Sequence, residues 1–165
     1  MKIASVNSAE RGETDRLLTT VAQQLGDRGH ALAGIVKVLE HESTFDNGCD
    51  MKVRVLPAGP DIQITQNLGV GSDACRLDPS AIADAVAQVE SGALEGAELF
   101  ILNKFGPEEA SGRGFCAVIG AAIEQGIPVL VGVGAGGKAA FDDFTGGLAQ
   151  SVNPDESAIL DWFKD

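Results

Sequence analysis

Asn103 and Lys104 directly follow an apolar segment, Leu99 to Leu102, at a position where metal-dependent hydrolysis of a phosphoanhydride would need two acids. A Mg²⁺ ion prefers anionic oxygen ligands, and an attacking water needs a carboxylate that orients it. An amide followed by an ammonium group supplies neither. The pair therefore has the position of a hydrolytic site and lacks its chemistry, which favours a binding role without a catalytic residue.

A polar segment, residues 7–14, follows the first apolar segment of the chain. It aligns in part with the phosphate-loop pattern G-x-x-x-x-G-K-[ST]. Gly12 and Thr14 match the last glycine and the hydroxyl of the pattern, whereas Asn7 replaces its first glycine and Glu13 its lysine. A carboxylate at the lysine position repels phosphate. Two interpretations stay open: an ordinary strand-to-helix loop in which Thr14 caps the helix, or a phosphate loop that has lost its charge.

Charged residues continue beyond Lys104. Glu108 and Glu109 precede Arg113, which has a glycine on each side. One interpretation places Glu109 and Arg113 at a ligand cleft, because flanking glycines let the backbone approach a ligand or another loop. The other makes the two glutamates caps of the next helix, with Arg113 paired to Glu109 at helical spacing.

Two cysteines flank a predicted hairpin and are candidates for the rim of the same cleft. Cys49 precedes the hairpin, and Cys75 follows it directly before Arg76. No C-x-x-C or H-x-x-x-H spacing occurs, so we predict no metal site. We expect Arg76, Lys104 and Arg113 to point into one cleft that selects a compact anion with several oxygens, since arginine grips such groups through two bonds.

Apolar segments alternate with helical periods along the chain, which predicts an α/β fold with three layers and a mostly parallel sheet. The central strands are predicted at Lys2–Val6, Ile35–Val38, Leu99–Leu102 and Pro128–Val131. A β-hairpin insertion is predicted at Met51–Leu56 with Ile62 and Ile64. Ligands of such folds bind beyond the carboxyl ends of the strands, where four loops should converge. The predicted helices cover Thr14–Gly26, a segment from Pro79 with Asp78 as N-cap, Gly112–Gln125, one short helix within 138–150, and Asp155–Phe163.

Size and composition limit the class of protein. With 165 residues, of which 44% are apolar, the chain is expected to form a single α/β domain over residues 1–165. A net charge of −12 argues against nucleic acid and anionic membranes as partners. The odd number of cysteines, three, and the lack of a signal-like segment predict reduced thiols and a cytoplasmic location.

Several motifs resemble an uncharacterised bacterial family whose genes often lie beside genes for molybdenum transport and molybdenum cofactor. The matching motifs are Gly48-Cys49-Asp50-Met51, Cys75-Arg76-Leu77-Asp78, Leu102-Asn103-Lys104-Phe105-Gly106 with Glu109, Gly112-Arg113-Gly114-Phe115 and Ile127-Pro128-Val129-Leu130. That family is similar to small P-loop nucleoside triphosphatases, which carry an Asp-Glu-Ile-Gly-x-x-Glu stretch at this strand end. Gly106 and Glu109 match that stretch, whereas Asn103 and Lys104 stand in place of its two leading acids. The resemblance therefore implies a degenerate P-loop fold and a molybdenum-related context.

These observations favour a cytoplasmic accessory protein that binds a small anion, such as molybdate, or a phosphate-containing cofactor. The predicted ligand-binding residues are Asn7, Gly12, Thr14, Cys49, Cys75, Arg76, Asn103, Lys104, Glu109 and Arg113. One alternative is a nucleoside triphosphatase or nucleotide-binding enzyme with atypical motifs. Another is a non-catalytic interaction scaffold, acting through a protein partner or a second copy of the chain. The sequence does not identify a cofactor.

Overall fold

The computed structural model describes residues 1–42, 50–67, 75–92 and 94–165. Its strands are β1 (Ile3–Val6), β2 (Leu32–Lys37), β3 (Lys52–Val55), β4 (Asp61–Gln63), β5 (Thr65–Asn67), β6 (Cys75–Leu77), β7 (Leu99–Leu102), β8 (Val129–Gly132) and β9 (Gln150–Val152). Its helices are α1 (Glu13–Asp27), α2 (Pro79–Glu90), α3 (Pro107–Ala110), α4 (Cys116–Glu124), α5 (Lys138–Thr145) and α6 (Glu156–Lys164), with a 3₁₀ turn at Ala135–Gly137.

Seven strands form one sheet in the order β4-β3-β2-β7-β8-β1-β9. The five strands from β2 to β9 in this order are parallel to one another, while β3 and β4 are antiparallel additions at one edge. Strands β5 and β6 form a separate two-stranded antiparallel sheet. The four predicted central segments share the main sheet, so the prediction of a mostly parallel α/β fold is confirmed.

Helices cover both faces of the sheet because successive strand residues point to opposite sides. On one face, α1 and α6 bury their apolar residues against alternate residues of the central strands, such as Leu99 and Ile101. On the other face, α2, α4 and α5 bury residues against Phe100 and Leu102. Four consecutive buried residues in each of β1, β7 and β8 fit parallel strands that are covered on both sides.

The structure corrects several predicted boundaries. The second half of the predicted hairpin is divided, because β4 ends at Gln63 and Thr65 begins a strand of the second sheet. The helix predicted from Gly112 begins at Cys116, since Gly112 and Gly114 adopt left-handed backbone conformations that interrupt a helix. Strand β9 was not predicted: it begins at Gln150, the last residue of the segment 138–150 in which a short helix was expected.

The predictions about helix caps have mixed outcomes. The Asp78 carboxylate accepts hydrogen bonds from the backbone N–H groups of Ser80 and Ala81, so it is the N-cap of α2 as predicted. Thr14 is not an N-cap, because α1 begins at Glu13 and Gly12 occupies the cap position with φ of 78°. The Thr14 hydroxyl instead accepts a hydrogen bond within the preceding loop.

Candidate functional site

A polar cleft lies between the carboxyl ends of β1 and β8. Helix α1 leaves β1 toward one face of the sheet, while α5 follows β8 on the opposite face. Ligands of open α/β sheets bind at such a switch point. The cleft has a volume of about 220 Å³, and it is lined by residues 7–12, Thr14, Asp15, Asn103, Lys104 and residues 132–134. It therefore brings together the predicted site residues Asn7, Gly12, Thr14, Asn103 and Lys104.

The loop between β1 and α1 is held by its own hydroxyl groups. The Ser8 N–H donates to the Thr14 hydroxyl at 2.9 Å, and the Glu10 N–H donates to the Ser8 hydroxyl at 3.2 Å. Glu13 is engaged by Arg16 through two hydrogen bonds of 2.7 and 2.6 Å, which lower the pKa of Glu13. Glu13 does not line the cleft. The residue at the phosphate-loop lysine position is thus a carboxylate held by the helix itself.

Asn103 and Lys104 form the opposite wall of the cleft, and they act on Asp15. Asn103 is only 6% exposed. Burial raises the pKa of the Asp15 carboxyl, and the positive charge of Lys37, 3.9 Å away, opposes that rise. A hydrogen bond with the Asn103 side chain and the charge of Lys104 oppose it further. Asn103 can approach β8 because Gly132 has no side chain, and a Cβ atom there would overlap the Asn103 carbonyl oxygen.

Sequence reasoning missed Asp15 as a residue of this cleft. Its side chain stands in the first turn of α1, directly after Thr14. The one feature of the sequence that could have indicated Asp15 is that it directly follows Thr14, a predicted site residue. Its contact with Asn103 joins two segments that are far apart in the chain, so spacing alone does not indicate it.

Glu109 joins the two ends of the loop that follows β7. Its carboxylate accepts the Gly106 N–H at 3.0 Å and the Phe115 N–H at 3.2 Å, and the residue is 7% exposed. Phe115 is the N-cap residue of α4, so Glu109 satisfies an amide at the start of the next helix as one interpretation predicted. Glu108, in contrast, pairs with Arg113 and is not a cap. A Cβ atom at Gly114 would overlap this carboxylate, which explains one glycine beside Arg113.

Glu109 also lines a second cavity, which we call the hairpin cavity. It has a volume of about 230 Å³ and lies between the hairpin insertion, α2 and the ends of β2 and β7. Its walls are mainly apolar, and Asn103, Lys104 and Glu109 supply its polar side chains. Asn103 and Lys104 therefore belong to both the cleft and the hairpin cavity.

The expected grouping of Arg76, Lys104 and Arg113 is not seen. Arg113 forms a hydrogen-bonded ion pair with Glu108 at 3.0 Å, and its side chain is 65% exposed. It lines a different groove, beside α2, that does not include Lys104. Pairing with Glu108 replaces the predicted pairing with Glu109, since Glu109 is turned inward onto backbone amides. Ligand binding by Arg113 itself stays a prediction.

The remaining predicted residues lie near the hairpin. Arg76 is exposed in β6 and lines neither the cleft nor the hairpin cavity. Cys75 begins the same strand, opposite Asn67. Cys49 lies outside the described residues. Within the described ranges, no group of three histidine, cysteine or acidic side chains is arranged to hold a metal ion.

The buried Glu109 carboxyl predicts a specific pH dependence of stability. Burial raises the pKa of Glu109 above its usual value of 4.5, so the folded state binds the proton more tightly than the unfolded state. The free energy of unfolding should therefore fall as the pH rises from about 4.5 through the pKa of the folded state. We expect Glu109→Gln to remove this fall. The unfolding temperature of the variant, measured relative to that of wild type, should therefore increase as the pH rises.

Glu108 provides the control for this measurement. Its hydrogen bond with Arg113 lowers the pKa of Glu108, so the stability that it contributes is lost as the pH falls. The unfolding temperature of Glu108→Gln, measured relative to that of wild type, should therefore decrease as the pH rises from below the lowered pKa. Parallel pH profiles for the two variants would contradict the assignment of Glu109 as the buried carboxyl.

Comparison with known structures first identifies the fold. A human cancer-related nucleoside triphosphatase superimposes with a TM-score of 0.62 over 93% of this chain and 88% of its own, at 13% sequence identity. At this identity the likeness is one of fold alone. The fold is thus of the kind found in nucleoside triphosphatases, with altered charges at the loop after β1 and at the end of β7.

Sequence comparison then identifies the family. Residues 3–162 match the family described as protein of unknown function (DUF2478), and the chain belongs to that family. A molybdenum import ATP-binding protein, ModC 2 from Bradyrhizobium diazoefficiens, is 33% identical over 166 residues. The match covers 99% of this chain and spans only 18% of that protein's length. Within the described residues, no helix is both long and apolar enough to cross a membrane.

Proposed function

We propose that this chain is an accessory protein of molybdenum metabolism that binds a small oxyanion, or the anionic group of a cofactor, in the cleft between β1 and β8. The molybdenum link rests on the match to a segment of a molybdenum import ATP-binding protein that corresponds to nearly the whole chain. A cytoplasmic location fits this role.

The observation that carries the proposal is the placement of Lys104 and Arg11 around the amino-terminal end of α1. Both side chains line the cleft, both residues are exposed, and neither forms an ion pair within 4 Å with any described residue. The first amides of a helix lack intrahelical acceptors and carry the positive end of the helix dipole. Glu10 and Asp15 also line the cleft, and where the two cations and these amides lie away from those carboxylates they favour an anion, even in a chain whose net charge is −12.

The polar side chains of the cleft suit an oxyanion better than a monatomic anion. The Asn7 and Asn103 amides and the Thr14 hydroxyl can donate to several oxygens at once. Asp15 limits where a negative ligand can lie in the cleft, because its ionised carboxylate repels another negative group close to it. A compact oxyanion near Lys104 and away from Asp15 fits this distribution of charge.

Calorimetric titration with molybdate, sulfate and phosphate tests the proposal. We expect wild type to bind at least one of these anions and Lys104→Ala to weaken that binding about tenfold, the effect of losing one charged hydrogen bond. Lys164→Ala makes the same change of charge at an exposed residue of α6 that lies outside the cleft, and it should leave the affinity unchanged.

Two results would overturn the anion-binding role. The first is that none of the three anions binds at millimolar concentration. The second is that Lys164→Ala weakens binding as much as Lys104→Ala, which would assign the effect to net charge. Arg113→Ala tests separately the role predicted for Arg113, which pairs with Glu108 outside the cleft.

A nucleotide-binding protein is the second candidate, and the fold similarity to a nucleoside triphosphatase favours it. Thermal unfolding separates the two candidates, because a ligand that binds only the folded state raises its stability. Stabilisation by ATP or GTP that requires Mg²⁺ would favour the nucleotide-binding protein. Stabilisation by oxyanions without nucleotide would favour the accessory protein.

A further inference from the structure

The hairpin cavity is an open pocket with the size and lining of a small-molecule site. The hairpin cavity measures about 230 Å³, and a dry cavity of about 150 Å³ is already able to hold benzene. Its walls include Ile64, Ile82 and Phe115, all of them buried. A flat apolar ring would fill this space.

The hairpin cavity and the anion cleft adjoin each other at the end of β7. Among the described residues that line the hairpin cavity, Lys104 and Pro107 are the exposed ones. Lys104 and Asn103 line the hairpin cavity and the cleft alike. A ligand whose ring fills the hairpin cavity can therefore extend past Lys104 and place an anionic group in the cleft.

Glu109 gives the hairpin cavity a means of selecting the ring. A carboxylate has about four acceptor sites, and the amides of Gly106 and Phe115 use one on each oxygen. Glu109 lines the hairpin cavity, so acceptor capacity beyond these two bonds can serve a ligand there. The two oxygens of a carboxylate match two neighbouring N–H donors on one edge of a ring, as in the bidentate recognition of a carboxylate.

We propose that the hairpin cavity binds a planar heterocycle with two adjacent N–H donors, selected by Glu109, whose attached anionic group lies in the cleft between β1 and β8. This inference rests on the proposed anion site and specifies its ligand as an anion carried on a ring. The ring supplies apolar burial and hydrogen bonds that a bare oxyanion lacks. The ligand should accordingly bind more tightly than the corresponding free anion.

Calorimetric titration of the full chain with GMP, AMP and inorganic phosphate tests this inference. Guanine presents adjacent N–H donors on one edge, whereas adenine presents a donor beside an acceptor. We expect GMP to bind about tenfold or more tightly than phosphate, and more tightly than AMP, because hydrogen bonds to a buried charge contribute strongly. Glu109→Gln should reduce the preference for GMP over AMP and leave phosphate binding unchanged.

A cavity-filling variant tests the same point without touching Glu109. Ala85 is fully buried in α2 and lines the hairpin cavity, so Ala85→Leu should occupy the space and reduce GMP affinity to that of phosphate. Ala87→Leu is the matched control, since Ala87 is exposed on the same helix and lines the groove of Arg113 instead. Thermal unfolding of both variants confirms that each is folded.

The outcomes separate this inference from the proposed function. If GMP binds no more tightly than phosphate, or if Ala85→Leu leaves GMP affinity unchanged, the ring site is wrong and the anion site stands. If neither GMP nor phosphate binds, the ring site is wrong, and the anion site is wrong as well if molybdate and sulfate also fail to bind. A GMP affinity that exceeds phosphate and falls only in Ala85→Leu and Glu109→Gln supports the ring site.

Discussion

Gly34→Ala is expected to destabilise the protein by about 3 kcal/mol or more. Gly34 lies in the middle of β2 with φ of 105°, a conformation that is strained for any residue with a side chain. A Cβ atom there would overlap the carbonyl oxygen of Ile101 and lie 2.8 Å from its carbonyl carbon. Ile101 is fully buried in β7, so its backbone has no room to retreat.

Thermal unfolding measures this effect, and Gly120→Ala is its control. Gly120 lies inside α4, and a methyl group added there would meet no atom within 4 Å. Alanine at this position should therefore raise stability by about 0.5–1 kcal/mol through helix propensity. The same change of residue should thus act in opposite directions at the two positions. A Gly34→Ala variant that unfolds at the wild-type temperature would contradict the close approach of β2 and β7.

Hydrolysis of ATP or GTP with Mg²⁺ is expected to stay within the uncatalysed background. Glu13 replaces the lysine that would stabilise the transferring phosphoryl group, and its carboxylate is held by Arg16. Asn103 and Lys104 replace the acids that would hold the metal and orient water. The loss of one such contact commonly reduces the rate about a hundredfold or more, and here several are altered together.

Phosphate release by the purified chain measures this rate. If turnover does appear, Thr14→Ala should be compared with Ser8→Ala, because each removes one hydroxyl that accepts an N–H within the same loop. Only Thr14 stands at the position of the metal-binding hydroxyl in the phosphate-loop pattern. Steady Mg²⁺-dependent turnover that is lost in Thr14→Ala and kept in Ser8→Ala would show that the loop is an active phosphate loop.

The elements that local sequence controls were predictable. The apolar runs of β1, β7 and β8 and the helical spacing of α1 follow from burial on one or both faces, which leaves a periodic pattern in a single segment. The same holds for the cap at Asp78, because its carboxylate reaches amides only two and three residues away. Strand β9 was missed, since three residues at a sheet edge, two of them exposed, leave no such pattern.

The sequence by itself determined the alternating α/β architecture and the loss of phosphate-loop charge, since each depends on residues close together in the chain. Only the tertiary structure decided which charged groups meet. Arg113 faces Glu108 because Gly112 and Gly114 turn the chain before α4, and this turn directs Glu109 inward. The contact of Asp15 with Asn103 and the shared wall of the two cavities depend on how β1, β7 and β8 lie side by side. Such contacts join distant segments, and no local pattern encodes them.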